Sequence, residues 1–395
     1  MKYKSYLLDV IVLARMKRDH EIKWQTATSW FGGLPAIDGT KWPRSPKGGF
    51  PLHHIAQIDL GNLPRGNTTP ALPSRGILNF FIDTYLKDDE PSVGVVYSED
   101  PSTTLAQPPE DCPPLYRDGW AYYYPGSSIA KDVPRVFRRW PIEFSLAQVR
   151  DGKYPDLGAA IDRAGPNPES IHLFEKDSLE GIESAQFPWQ AVTRLVSDYK
   201  RVVNEHDANR SRRGPWPAET LQKLEEAWQK KEVEMPDVRA FIEHWDNISG
   251  TMDPFQALGE AAANDLETSM KALRPHIRYG GGTSKLRHAA SDVYRDMMTD
   301  SAEVFARIPD EIRSFLINKR GRSGWRVLPH AMFGLVPTFQ QSSEDFSAEI
   351  PLLSIQCDDM LSWMWGDVGF ISVLISPDDL AARRWIGARG FFEGH

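Results

Sequence analysis

The apolar positions of this chain change rhythm twice. From residue 25 to 184 they come in short runs broken by proline and glycine. From 185 to 320 they recur at helical spacing with few breakers, and from 321 to 395 the short runs return. Alternation at a period of two marks a half-buried strand; recurrence at i, i+3, i+4 and i+7 marks an amphipathic helix. The first region therefore predicts strands over 51–60, 76–83, 93–97 and 135–144, the second entered from a Pro-Ser-Arg-Gly turn. The proline-rich 98–125 stretch reads as a surface loop. In the middle region Val192, Leu195, Val196, Tyr199, Val202 and Val203 fall on one helix face. Leu221, Leu224 and Trp228 fall on a second, and Val238, Phe241, Ile242 and Trp245 on a third. Asp253 with Gln256 resembles a helix-capping pair, and Thr283 or Ser284 is placed to cap a helix after the glycine run at 280–282.

This division predicts an α+β fold. An antiparallel-sheet core, made by residues 1–184 and 321–395, is interrupted by an α-helical insertion at 185–320. The apolar stretch 6–14 holds Asp9 and is followed by Arg15, Lys17 and Arg18, so it reads as a strand or helix turn of the core rather than a secretory or spanning segment.

The two strand regions echo each other. Leu52 to Asp59 lies over 351–358, which sets Gln57 against Gln356 and Asp59 against Asp358. Gly76 to Ile82 lies over Gly369 to Ile375. Both run strand, Gln-x-Asp, turn, Gly, strand, as two copies of one hairpin-like unit would.

The same residues carry a family likeness. Gly32-Gly33-Leu34-Pro35, Trp42-Pro43, Ile55-Ala56-Gln57-Ile58-Asp59-Leu60 and Gly76-Ile77-Leu78-Asn79-Phe80-Phe81 come in that order. They are followed at the far end by His330-Ala331-Met332-Phe333-Gly334, Trp365-Gly366-Asp367 and Ile375-Ser376-Pro377-Asp378-Asp379-Leu380. This order resembles the YwqG-like bacterial family of unknown function, over about the first 120 and last 70 residues. The resemblance implies a duplicated antiparallel sheet and names no catalytic residue. It also implies a setting in which such families occur, toxin and immunity gene neighbourhoods. The long helical block departs from the family pattern.

Composition narrows the chemistry. In 395 residues, 54 acidic side chains outnumber 46 basic ones, a net charge of −8. This speaks against a nucleic-acid coat or an anionic membrane as partner. The segment 321–395 alone sets nine carboxylates against five arginines. Two cysteines, Cys112 and Cys357, allow one disulfide at most and fit a reduced cytoplasmic setting.

No motif declares a cofactor or a metal. His53 and Asp59 share a strand face at period two while His54 points away, too few ligands for a closed site. The glycine run before Lys285 lacks the ending of a phosphate loop, and Gly321-Arg322-Ser323-Gly324 is one residue short of a nucleophile elbow. The candidate ligand- or partner-binding residues are Gln57, Asp59, Gln356, Asp358, Trp363, Trp365 and Asp367. Each has a plainer use: the carboxylates can tie turns and the indoles can seal the core. The expected function is a non-catalytic binding protein, foremost an immunity protein that neutralises a co-encoded, possibly basic nuclease-type, toxin domain. The alternative is a small-molecule-binding protein or enzyme whose pocket gathers Gln57/Asp59 and Gln356/Asp358 between the two halves.

Overall fold

A computed structural model describes residues 8–70, 72–85, 90–115, 134–150, 156–163, 179, 182–211, 214, 216–273, 282–318, 330–334, 336, 348–366 and 369–394. The chain divides into two compact units. One takes in Met1–Tyr123, Val133–Phe174 and Ser314–His395; the other takes in Tyr124–Asp132 and Glu175–Arg313.

The first unit is a ten-stranded antiparallel sheet. Its strands are β1 (Val10–Arg15), β2 (Trp30–Phe31), β3 (His53–Asp59), β4 (Ile77–Ile82), β5 (Val93–Ser98), β6 (Trp140–Ala147), β7 (Ala331–Met332), β8 (Ile350–Gln356), β9 (Phe370–Ile375) and β10 (Arg389–Glu393). Their order is β10-β9-β8-β7-β1-β6-β2-β3-β4-β5. The edges come close to each other, with Tyr97 beside Trp385 (ring centroids 6.0 Å apart) and Gly390 against Pro91, so the sheet is nearly a closed barrel.

That order is a palindrome, and the register obeys it. β3 and β4 pair with a bulge at Ile55; β8 and β9 pair with a bulge at Leu352. Aligned on the bulges, Gln57 corresponds to Ser354, Asp59 to Gln356, Asn79 to Ser372 and Phe80 to Val373. Trp30 pairs with Gln57 as Ala331 pairs with Ser354. Ser29 oxygen accepts from Ile142 nitrogen (3.0 Å) as His330 oxygen accepts from Leu13 nitrogen (2.8 Å). β1 and β6 are thus counterparts that pair with each other, and the pseudo-twofold axis passes between the facing pair Ala14 and Glu143. The two related β units are shown. Their alignment is corrected: the second strand matches as the sequence suggests, whereas the first slips by two residues, because matched bulges and not the Gln-x-Asp echo fix the register.

The bulge also corrects the faces of β3. One extra residue reverses the alternation, so His54 shares a face with Gln57 and Asp59, and His53 lies on the other.

The sequence reads strongly for burial on both faces of the central strand. All six residues of β1 are buried. Val10, Val12 and Ala14 pack with Ala147, Ala160 and Leu157 of α2 (Leu157–Arg163), while Arg15 lies on the opposite face. A short helix α1 (Glu21–Gln25) follows β1, and Trp24 packs edge-on against Trp140 at 5.5 Å. After each of β2 and β7 two successive residues turn left-handed: Gly32 and Gly33 in one unit, Phe333 and Gly334 in the other. A Cβ on Gly32 would meet the Arg138 carbonyl oxygen at 2.1 Å, so glycine is required there.

The second unit is helical: α3 (Trp189–Ser211), α4 (Ala218–Glu232), α5 (Met235–Ser249), α6 (Gly259–Leu273), α7 (Gly282–Thr299) and α8 (Ala302–Ala306), with α9 (Asp310–Asn318) running past its end. The stripe Val192, Leu195, Val196, Tyr199 is buried, and Tyr199 meets Phe241 of α5 edge-on at 5.1 Å. Asp253 ties a turn, accepting from Phe255 nitrogen, and α6 begins only at Gly259. α7 begins at Gly282, ahead of the expected cap. α4 has no buried residue. In the sheet unit, α10 (Pro377–Ala381) is capped by Ser376. Among the described residues no helix is long and apolar enough to cross a membrane.

Candidate functional site

Two counterpart places in the sheet unit, beside the starts of β2 and β7, hold an ion cluster in one half and a cleft in the other. In the second half, Asp358 follows β8 and forms an ion pair with Arg15, whose Nε lies 2.9 Å from its carboxylate. His330, the residue before β7, lies 3.3 Å away through Nε2. Gln356 nitrogen donates to His330 Nδ1 at 3.0 Å, so the ring proton sits on Nε2 and points at Asp358. Met360 nitrogen closes the other carboxylate oxygen at 3.0 Å. Asp358 and His330 are fully buried and Arg15 nearly so.

Burial works to raise the Asp358 carboxyl, but the Arg15 charge and the His330 hydrogen bond outweigh it and hold it below its ordinary range. Burial lowers His330, against the pull of Asp358, which keeps the ring neutral near pH 7. Phe31 and Trp363 face the His330 ring edge-on at 5.0 and 5.3 Å, and Trp140 lies under the Arg15 guanidinium. The cluster is sealed, with no path for a substrate among the described residues.

Of the expected site residues, Gln356, Asp358, Trp363 and Trp365 meet here. Trp365 Nε1 donates to the Gln356 carbonyl at 2.9 Å, and Trp363 exchanges two backbone bonds with Asp358. Both indoles are buried. Asp367 lies outside the described residues, as do Tyr279 to Gly281 and the 321–324 segment. Arg15 and His330 were not singled out from sequence; 343 positions separate Arg15 from its carboxylate, and no local pattern joins them.

The counterpart place in the first half is built differently. Ser29 stands where His330 stands, and its Oγ accepts from Asp59 nitrogen at 2.9 Å, as His330 Nδ1 accepts from Gln356 nitrogen. Gly61 corresponds to Asp358 and Phe144 to Arg15. Among the described residues no buried ion cluster stands at these counterpart positions. Instead a cleft of about 720 Å³ opens, lined by Met16, Lys23, Thr28, Asn62, Glu143 and Phe144 among others. Gln57 and Asp59 stand behind its rim. Gln57 Nε2 donates to Thr28 oxygen, its Oε1 accepts from Ala36 nitrogen, and Asp59 accepts from Gly61 nitrogen and Asn62 Nδ2. The two Gln/Asp pairs thus make separate sets of bonds, one behind this rim and one in the sealed cluster.

A second cleft of about 630 Å³ lies over Ile37, Asp38, Tyr97, Glu99 and Leu105, open and mostly polar. His53 and His54 are packed rather than presented: His53 lies 2.9 Å from Pro113 oxygen and His54 3.0 Å from Gly33 oxygen, and burial pushes both down to about 4. Among the described residues no three His, Cys, Asp or Glu side chains gather as metal ligands. Both cysteines are free and buried, and burial raises Cys112 to about 11.

No curated protein matches the chain at a significant level. A family model described as "Domain of unknown function (DUF1963)" matches residues 29–389, a span that runs from the entry of β2 through the helical unit to the start of β10, and the chain belongs to that family.

Proposed function

We propose that this protein is a non-catalytic binding protein that neutralises a protein partner, as an immunity protein set against a co-encoded toxin domain would. The observation that carries the reading is the surface of the helical unit. α4 buries none of its residues, and Trp216, Leu224 and Val233 are 56, 51 and 79 % exposed around it. Exposed aromatic and aliphatic side chains of this kind serve as anchors at protein interfaces. The sealed Arg15–Asp358–His330 cluster supports the same reading, because its charges are spent on each other. The acidic excess suits a basic partner, such as a nuclease-type domain, by steering encounter. The matching compartment is the cytosol, where both cysteines stay as thiols.

The test is co-purification of the full chain with the products of its neighbouring genes, together with rescue of growth when such a product is expressed alone. Binding that weakens at least about tenfold in Trp216→Ala or Leu224→Ala, with unchanged melting temperature, supports the reading. Failure to bind any neighbouring product contradicts it.

A further inference from the structure

The open cleft beside Phe144 coincides with an unpaired stretch of sheet. β2 is two residues long and pairs with β6 only at Trp140 and Pro141. Met16 nitrogen donates to Pro141 oxygen on the β1 side, and Ile142 nitrogen donates to Ser29 oxygen on the β2 side. Main-chain groups alternate sides along a strand, so the N–H and C=O of Phe144 and Leu146 face the β2 side as well. No described strand meets them there. The cleft opens along this edge, with Thr28 and Asn62 across from it.

Its chemistry selects an occupant. The charged residues in its lining are Lys23 and Glu143, which pair with each other. Glu143 holds the Lys23 ammonium above its ordinary value, and the contact between the two leaves neither side chain unpartnered in the lining. Met16, Ile142, Phe144 and Leu146 supply apolar surface, and the polar side chains of the lining, Thr26, Thr28, Ser29 and Asn62, are uncharged and already bonded within the chain. A row of alternating donors and acceptors that no described strand pairs, beside apolar and hydroxyl groups, is the kind of edge to which an extended chain adds as a strand. The volume falls within the range of small-ligand clefts and holds a few residues. In the sister half the counterpart positions hold the Arg15, Asp358 and His330 cluster; here Phe144 and Ser29 line the cleft, and Gly61, the counterpart of Asp358, has no side chain to put into it.

We propose that this cleft is a strand-addition slot that receives a short, uncharged, extended peptide segment, which pairs main chain to main chain with Phe144 and Leu146 of β6. It is independent of the helical surface discussed above, since it needs no particular partner protein.

The probe is acetyl-Thr-Val-Thr-amide, titrated into the full chain and followed by amide resonances and hydrogen exchange. The expected result is saturable binding that slows exchange at Phe144 and Leu146. The same peptide N-methylated at its valine should bind at least about tenfold more weakly, since it loses a donor and collides with the edge. Ser29→His/Gly61→Asp/Phe144→Arg, which rebuilds the sister plug, should abolish binding while the melting temperature holds. Should that triple variant not fold, Asn62→Trp at an exposed rim position is the second block. Absence of binding, equal binding of the N-methylated peptide, or binding that leaves both amides unprotected overturns the proposal.

Discussion

Two places in the sheet unit share one backbone and differ in their filling. At both, a residue before a short strand gives its carbonyl to the central pair, and its side chain accepts the last N–H of the bulged strand: Ser29 from Asp59, His330 from Gln356. In the second half the space beyond is closed by Arg15 and Asp358 with His330. In the first half it is a cleft over Phe144. The lesson is that duplication fixes geometry but not chemistry. Once β1 and β6 close the sheet symmetrically, each half can spend its equivalent space separately, one on an internal ion cluster and one on an opening.

The largest effect tests the plug. Asp358→Ala leaves Arg15 buried without its partner and should cost about 3–5 kcal/mol in urea unfolding. Arg15→Met combined with Asp358→Leu should recover most of that loss, since an apolar filling of similar volume replaces the pair. A double variant as unstable as the single one would show that the cluster contributes more than paired charge.

Acid is the next lever. His53 and His54 are held at about 4 when folded, against 6.5 when free. The unfolded chain therefore takes up their protons first. The stability they contribute is complete above pH 6.5 and is lost as the pH falls toward 4, at most about 3 kcal/mol each. His330, also lowered, adds in the same direction from pH 6.5 downward. Asp358, lowered too, contributes stability above 3.8 that is lost as the pH falls through and below that value. Urea midpoints measured from pH 7.5 to 4 should drop steadily below 6.5. A flat profile would mean that the three rings are not held neutral.

A smaller effect separates the halves at their turns. Gly32→Ala should cost more than about 2 kcal/mol, from left-handed strain plus the collision with the Arg138 carbonyl. Its counterpart Phe333 holds the same conformation with a full side chain, so a harmless Gly32→Ala would show that both turns accommodate a side chain and that the Arg138 carbonyl does not set them apart. The smallest effect lies at the mouth of the cleft. Lys23→Met removes an exposed ion pair and should change stability by less than about 1 kcal/mol. A larger loss would make the pair part of the core rather than a rim.

The sequence made the fold class legible because local patterns carry it. Alternating runs bounded by glycine and proline marked β3, β4 and β5, and a sustained helical stripe marked α3. The equivalence of β4 and β9 was also readable, because glycine precedes both at the same offset. The equivalence of β3 and β8 was misread by two residues. A bulge has no residue signature, and the repeated Gln-x-Asp drew the alignment to itself.

The site was legible only in fragments. Gln356, Asp358, Trp363 and Trp365 were marked by a dense local motif. Arg15 looked like the charged end of an apolar run, and nothing local tied Trp30-Phe31-Gly32-Gly33 to Ala331-Met332-Phe333-Gly334. Those relations exist only through pairing across the sheet, where one-residue shifts exchange faces.

The account rests on the claim that Arg15 and Phe144 occupy the same position in two related halves, one sealed and one open. Native-state hydrogen exchange at these two amides measures it most directly. The prediction is that the Arg15 amide exchanges only through global unfolding, while the Phe144 amide, facing the cleft, exchanges at least about 100-fold faster through local access. Equal protection of the two amides would contradict it.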